Sequence, residues 1–242
     1  TPSVEDMLAG SVILTLTAQS DAPCGFDMDE MVLTISQQAV ANAGDDATIC
    51  EGSSYYLGSA SVISASSILW TTTGTGYFNN PALVNPTYFP SANDILDGYV
   101  TLTIHVNSVS PCNGDSDAML LSISRQAVVN AGPDAAICEG SDFTLSAASQ
   151  QFATSLLWTT SGTGTFNDAH ILNPVYSPSM ADIANGSVTL TIVGQSSAPC
   201  GVDMDAMVLT ISHEAIAYAG EDAVICEGSA YTLADAQATY AS

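Results

Sequence analysis

A chain of 242 residues with 25 acidic side chains and a single basic one, Arg125, carries a formal net charge of −24. That balance excludes a partner recognised through its phosphates, nucleic acid or anionic lipid, because such binding depends on Lys and Arg displacing counterions. Cations, neutral glycans and other proteins remain as partners, and the 47% of hydrophobic residues, recurring in strand-like alternation, exclude a disordered chain.

The first clear element is Val12 to Leu16, too short to cross a membrane as a helix and followed by Met31 to Ile35, its return strand in a hairpin. The segment 39–49 predicts a first strand split by a kink at Gly44, and Glu51-Gly52 predicts a tight turn into a second strand near Tyr55 to Ser59. Ile68 to Thr72 is a third strand with Trp70 buried, Gly74-Thr75-Gly76 turns the chain, and 85–90 crosses as an edge segment, where proline is tolerated. Val100 to Ile104 places apolar residues on one face and threonines on the other, and Met119 to Ile123 returns beside it. No stretch has helical periodicity of useful length.

From this point the chain starts again. Ile49-Cys50-Glu51-Gly52 recurs at Ile137-Cys138-Glu139-Gly140 and at Ile225-Cys226-Glu227-Gly228, and the spacing, 138 − 50 and again 226 − 138, is 88 residues. Trp70-Thr71-Thr72 returns as Trp158-Thr159-Thr160 and Pro111-Cys112 as Pro199-Cys200, at the same interval. Such a unit is too long for a solenoid turn and close to the roughly 100 residues of an immunoglobulin-type sandwich. The predicted fold is therefore all-β, a tandem array of immunoglobulin-like sandwiches. Residues 1–38 form the C-terminal part of one repeat, 39–126 and 127–214 two complete repeats, and 215–242 the N-terminal part of another. With no initiator Met, signal peptide or anchor, the sequence reads as an excised part of a longer precursor.

The run Ala41-Asn42-Ala43-Gly44-Asp45-Asp46-Ala47-Thr48-Ile49-Cys50-Glu51-Gly52 resembles the opening strand and turn of PKD-like domains. Together with Trp-Thr-Thr, Gly-Thr-Gly, Asn-Pro, Pro-Ser, Val-Thr-Leu-Thr and Pro-Cys, it is similar to tandem repeats in giant surface proteins of Bacteroidota, including gliding-motility adhesins of the SprB type and other type IX secretion cargo. The resemblance spans the chain. It implies an extracellular filament or adhesin shaft with no catalytic residues, its partners the neighbouring repeats and other copies in a fibre.

Each unit has one cysteine before its first tight turn (Cys50, Cys138, Cys226) and one in its last hairpin loop (Cys24, Cys112, Cys200). Strands of about 7 to 9 residues at roughly 3.3 Å each separate these two ends by some 25 to 30 Å, whereas a disulfide needs Cα atoms within about 7 Å. An interdomain bridge, Cys50 to Cys200, is favoured on that ground. Intradomain pairs, Cys50 with Cys112 and Cys138 with Cys200, are the alternative, and free thiols a third. Six cysteines and few charges suit an oxidising, extracellular setting.

The acidic loops Asp27-Met28-Asp29, Asp115-Ser116-Asp117 and Asp203-Met204-Asp205 read first as solvated surface. If repeats stack head to tail, Glu51, Asp134, Asp203 and Asp205 could instead form an oxygen-rich junction site for calcium, the one cofactor the composition suggests. His105, His170 and His213 occupy three different repeat positions and read as surface variation, not a metal cluster. No nucleophile elbow, phosphate loop or cleft with paired carboxylates is present, so no enzyme is expected. Trp70, Trp158, Tyr88 and Tyr176, with Met31, Met119 and Met207, read as core. The function expected is a structural stalk at the cell surface serving attachment or gliding, and the alternative a glycan- or protein-binding module of a secreted protein.

Overall fold

The computed structural model describes residues 1–240, and the chain divides into two compact units, Thr1–Arg125 and Gln126–Ser242. The first opens with a short helix, α1 (Val4–Ala9), and an antiparallel hairpin of β1 (Ser11–Gln19) and β2 (Phe26–Thr34). Then come β3 (Val40–Asn42), β4 (Ala47–Cys50), β5 (Tyr55–Tyr56), β6 (Ser61–Ile63), β7 (Ser67–Thr72), β8 (Tyr77–Phe78) and β9 (Thr87–Phe89). A second helix, α2 (Ala92–Asp97), leads into the long hairpin β10 (Tyr99–Asn107) and β11 (Asp115–Ser124).

Strands β3 to β11 make two layers. One sheet has the order β4-β11-β10-β7; the other is built from β3-β6 and β5-β9-β8. Because β5 and β6 are consecutive pieces of one strand, the second layer has the immunoglobulin ABED arrangement facing a sheet of the CFG type. Gly44, at φ +88, bends the chain between β3 in one layer and β4 in the other, a left-handed conformation that glycine adopts without strain. The break between β5 and β6 buries Leu57, and the Asn85 side chain donates to the carbonyls of Leu57 and Ala60, at 2.6 and 2.9 Å.

Alternation fills the interior. Val100, Leu102, Ile104 and Val106 of β10 are buried with Met119, Leu121 and Ile123 of β11 around Trp70 and Tyr88, while Thr101 and Thr103 are half-buried on the other face. The Trp70 indole N–H is satisfied by the Val84 carbonyl at 3.2 Å. The second unit repeats this plan as β12 (Val128–Asn130), β13 (Ala135–Cys138), β14 (Phe143–Thr144), β15 (Ser149–Gln151), β16 (Ser155–Thr160), β17 (Thr165–Phe166), β18 (Val175–Ser177), α3 (Met180–Asn185), β19 (Ser187–Gln195) and β20 (Val202–Ser212). Its own core holds Trp158 and Tyr176. Two short strands, β21 (Ile216–Tyr218) and β22 (Gln237–Thr239), follow as an antiparallel pair.

The structure corrects four expectations. Strand β9 is central between β5 and β8, not an edge, because Pro86 and Pro90 fall just outside it and no ladder N–H is lost. Helices exist, six residues long, each with a Ser N-cap, an Asp capping-box partner and a left-handed Gly C-cap. The acidic triplets lie in strands, Asp115-Ser116-Asp117 at the start of β11 and Asp203-Met204-Asp205 within β20, not in loops. Met119 and Met207 are core residues, but Met31 is 55% exposed, with no second layer packed on the β1–β2 hairpin among the described residues.

Candidate functional site

The best-connected polar group of each repeat is a carboxylate that the sequence reading missed. Where the chain crosses from β9 to β10, the Ser91 hydroxyl caps α2 and sets Asp94 facing inward, with 1% of its surface exposed. Asp94 Oδ2 accepts from the backbone N–H of Ser91 (2.9 Å) and Gly76 (3.0 Å) and from the Tyr88 hydroxyl (2.7 Å), and Oδ1 accepts from Thr75 N–H (2.8 Å). Asp182 in the second repeat has the same partners in Ser179, Gly164, Tyr176 and Thr163, at 2.8 to 2.9 Å. The Gly-Thr-Gly turns do cradle an anion, but it is the chain's own carboxylate.

Burial alone would raise the carboxyl pKa of both aspartates, yet the donated hydrogen bonds, those of Ser91 and Ser179 foremost, outweigh it and hold both below the usual range, Asp182 at about 2. Tyr88 responds in the opposite sense: burial, opposed by the Thr72 hydrogen bond and reinforced by the Asp94 charge, pushes its hydroxyl up to about 12. The turn tolerates no side chain. A Cβ on Gly164 would lie 2.5 Å from both the Ser177 carbonyl oxygen and the Tyr176 hydroxyl. Replacing Gly164 by Ala is expected to cost about 1–3 kcal/mol by overpacking, measurable as a lower urea midpoint for the second repeat.

A second carboxylate array closes the seam between the layers. One edge of β3 pairs with β6; along its other edge the N–H groups of Ala39, Ala41 and Ala43 donate to Ser108 Oγ, Asp115 Oδ2 and Asp117 Oδ2, at 2.7, 2.9 and 2.8 Å. In the second repeat Ala127, Val129 and Ala131 donate to Ser196, Asp203 and Asp205, at 2.7, 2.8 and 2.8 Å. Asp46 and Asp134 accept from the Leu120 and Val208 N–H groups of the neighbouring strand, at 2.7 and 2.8 Å. Three of the proposed calcium ligands, Asp134, Asp203 and Asp205, are thus each committed to a different backbone N–H. Glu51 belongs to the other unit. Among the described residues no group of three or more His, Cys, Asp or Glu side chains is gathered that could hold a metal ion.

The register separates the two cysteine classes within a repeat. Cys50 pairs with Ser124 at the trailing end of β11, whereas Cys112 precedes the first residue of that strand, Asp115. A ten-residue strand between them spans roughly 30 Å. Cys50 and Cys200 are disulfide-bonded, and Cys24, Cys112, Cys138 and Cys226 carry free thiols. The intradomain pairs Cys50 with Cys112 and Cys138 with Cys200 are therefore not made.

Nor are the histidines equivalent surface variation. His213 is half-buried, with Nδ1 2.8 Å from Glu139 Oε2 and its ring stacked on Tyr240 at 4.4 Å between centroids. Glu139, half-buried like its partner, is held below the usual carboxylate range by the His213 hydrogen bond first and the Glu214 backbone N–H second. The imidazoles of His105 and His170 bond Thr71 Oγ1 and the Leu156 carbonyl, and the His170 backbone N–H donates to Asp168 Oδ1.

No family model matches the chain, and no curated protein matches it. Among solved structures it is similar to an I-band fragment of titin, at 12% identity and TM-score 0.49, over 84% of this chain and 75% of that one. It is also similar to extracellular cadherin domains 1–4 of protocadherin gamma B7, at 13% identity and TM-score 0.42, over 92% of this chain and 64% of that one, less than two thirds of the protocadherin. The D00-D0 domain of intimin is similar over 71% of this chain and 99% of its own, at 10% identity and TM-score 0.42. At these identities the likeness concerns the fold alone, which the strand order already establishes.

Proposed function

We propose that this chain is a structural segment of an extracellular filament or surface-adhesin stalk, of the kind met in gliding adhesins of Bacteroidota, whose repeats hand on to one another in line. The observation that carries the reading is the polarity of each repeat. The chain comes in at the end marked by the last hairpin loop, where the Ala39 and Ala127 N–H groups meet Ser108 and Ser196, and goes out past Ser124 or Ser212 beside the first turn. A unit with its two termini at opposite ends extends an array. The same polarity supports a covalent joint, Cys50 of one repeat bonded to Cys200 of the next. Such a bond limits bending between neighbours without consuming core residues. No helix among the described residues is long and apolar enough to cross a membrane, and the oxidised cysteines favour an extracellular setting.

Small-angle scattering on the whole chain tests the array. A compact protein of 242 residues has a radius of gyration of about 18 Å, and the in-line reading expects a value well above it. A measured value near the compact one would sink the stalk. Non-reducing peptide mapping is expected to recover Cys50 linked to Cys200; Cys50 linked to Cys112 would overturn the joint.

A further inference from the structure

Among the described residues, those other than glycine that adopt a positive φ are Ser64 at 52°, Phe152 at 59° and Tyr240 at 57°. They are 88 positions apart, so the chain bends left-handed at the same point of three successive repeats, whether that point carries a small hydroxyl or a bulky ring. A Cβ disfavours this conformation, and glycine, which adopts it freely elsewhere in each repeat, stands at none of the three. Such an outlier, repeated with three different side chains, points to a use for the side chain itself.

The register places these residues at the start of each repeat. Val40 pairs with Ile63, Val128 with Gln151 and Ile216 with Thr239, and the left-handed residue is the first beyond each pair. Two residues further on, the N–H groups of Ser66 and Thr154 donate to the carbonyls of Asn107 and Gln195, at 2.7 Å in both, which fixes the bend against the base of the last hairpin.

The partner of Ser64 and of Tyr240 is in each case the next-to-last residue of the preceding repeat. Ser64 Oγ donates to Gln37 Oε1 at 2.7 Å, and the Tyr240 ring stacks on His213. Gln37 and His213 are equivalent positions, 213 − 37 being twice 88. Between them in the series stands Arg125, and its counterpart among the left-handed residues is Phe152, a guanidinium and an aromatic ring, groups that attract one another through the ring face. The alanines that follow two residues later, Ala39, Ala127 and Ala215, do not vary.

We propose that the left-handed residue is a latch, held out of the relaxed backbone region so that its side chain meets the end of the preceding repeat. The pair of side chains changes from joint to joint and sets how firmly each one closes: a neutral hydrogen bond for Gln37 with Ser64, stacked rings for His213 with Tyr240. The backbone donors to Ser108 and Asp115, and to Ser196 and Asp203, are the same in both complete repeats, so the latch tunes a joint without altering the core. Its use in a stalk rests on the reading above; the pairing does not.

Hydrogen exchange on the full chain tests the first pair as a double-mutant cycle. Ser64→Gly keeps the bend and removes the hydroxyl, and is expected to speed exchange of the 38–40 amides roughly 2- to 5-fold, one exposed neutral hydrogen bond at about 1.4 kcal/mol per decade. Gln37→Ala should do the same, and the double variant no more than either. Proton NMR reads the second pair: the ring current of Tyr240 should move the His213 imidazole signals upfield of those of His105 and His170, and Tyr240→Leu should abolish the displacement. Exchange unchanged in the single variants, accelerations that multiply in the double one, or a His213 signal that Tyr240→Leu leaves in place each overturn the latch. A compact radius of gyration would end the stalk reading with these couplings intact, so the two failures are told apart.

Discussion

Replacing Asp182 by Asn is expected to lower the melting temperature of the second repeat by roughly 10–20 °C, the largest effect of any single isosteric change. Asn keeps the shape but sets an NH2 group among donors, so at least one of the Ser179, Gly164, Thr163 and Tyr176 donors loses its partner in a buried site. Hydrogen bonds to a buried charge contribute about 1.5–3 kcal/mol each, and breaking such a network costs about 3–5 kcal/mol. A loss near 3 kcal/mol is the moderate expectation. Calorimetry should show the two complete repeats separating, because the first retains its own centre at Asp94. An unaltered transition would contradict the stabilising role given to the buried Asp182 carboxylate.

The same group sets an acid limit. The folded pKa of Asp182, about 2, lies below its unfolded value near 3.9, so the folded state favours the carboxylate. Its contribution is fully present above about pH 4 and is lost as pH falls through 2. The urea midpoint of the wild type should fall across that window, and that of Asp182→Asn should fall less.

The second large effect belongs to the seam. Asp203→Ala with Asp205→Ala removes the acceptors of the Val129 and Ala131 N–H groups, an expected loss of about 3 kcal/mol after allowing for water entering the site. Hydrogen exchange should locate it: protection of those two amides is expected to drop roughly 100-fold, at about 1.4 kcal/mol per decade, while the centre of β19 keeps its protection. Should calcium raise the melting temperature of the wild type and not of this variant, the carboxylates would be ion ligands after all and the hydrogen-bonding role would fail.

Much of the fold was readable before any coordinates. The 88-residue repeat, the long hairpins, the buried tryptophans and the kink at Gly44 all rest on patterns that side-chain alternation and glycine chemistry impose. The polar centres were harder to see. A six-residue helix is too short to develop periodicity, but its punctuation occurs three times, as Ser3, Asp6 and Gly10, as Ser91, Asp94 and Gly98, and as Ser179, Asp182 and Gly186. Those triplets, taken together, point to Asp94 and Asp182. Asp115 and Asp117 continue the inward-facing alternation of Met119, Leu121 and Ile123, a signal masked by the habit of assigning acidic pairs to loops. The contact of His213 with Glu139 and Tyr240 joins residues far apart in sequence, and no local pattern announces it.

The parallel pairing of β4 with β11 has a mechanical meaning. The first strand of that sheet and the last run side by side in the same direction, with Ala47 beside Leu121 and Cys50 beside Ser124. A force drawing the two ends of a repeat apart slides these strands along one another, so their hydrogen bonds bear the load together and do not peel one by one. In the stalk proposed above, a repeat built in this way is expected to resist a force that draws its own two ends apart.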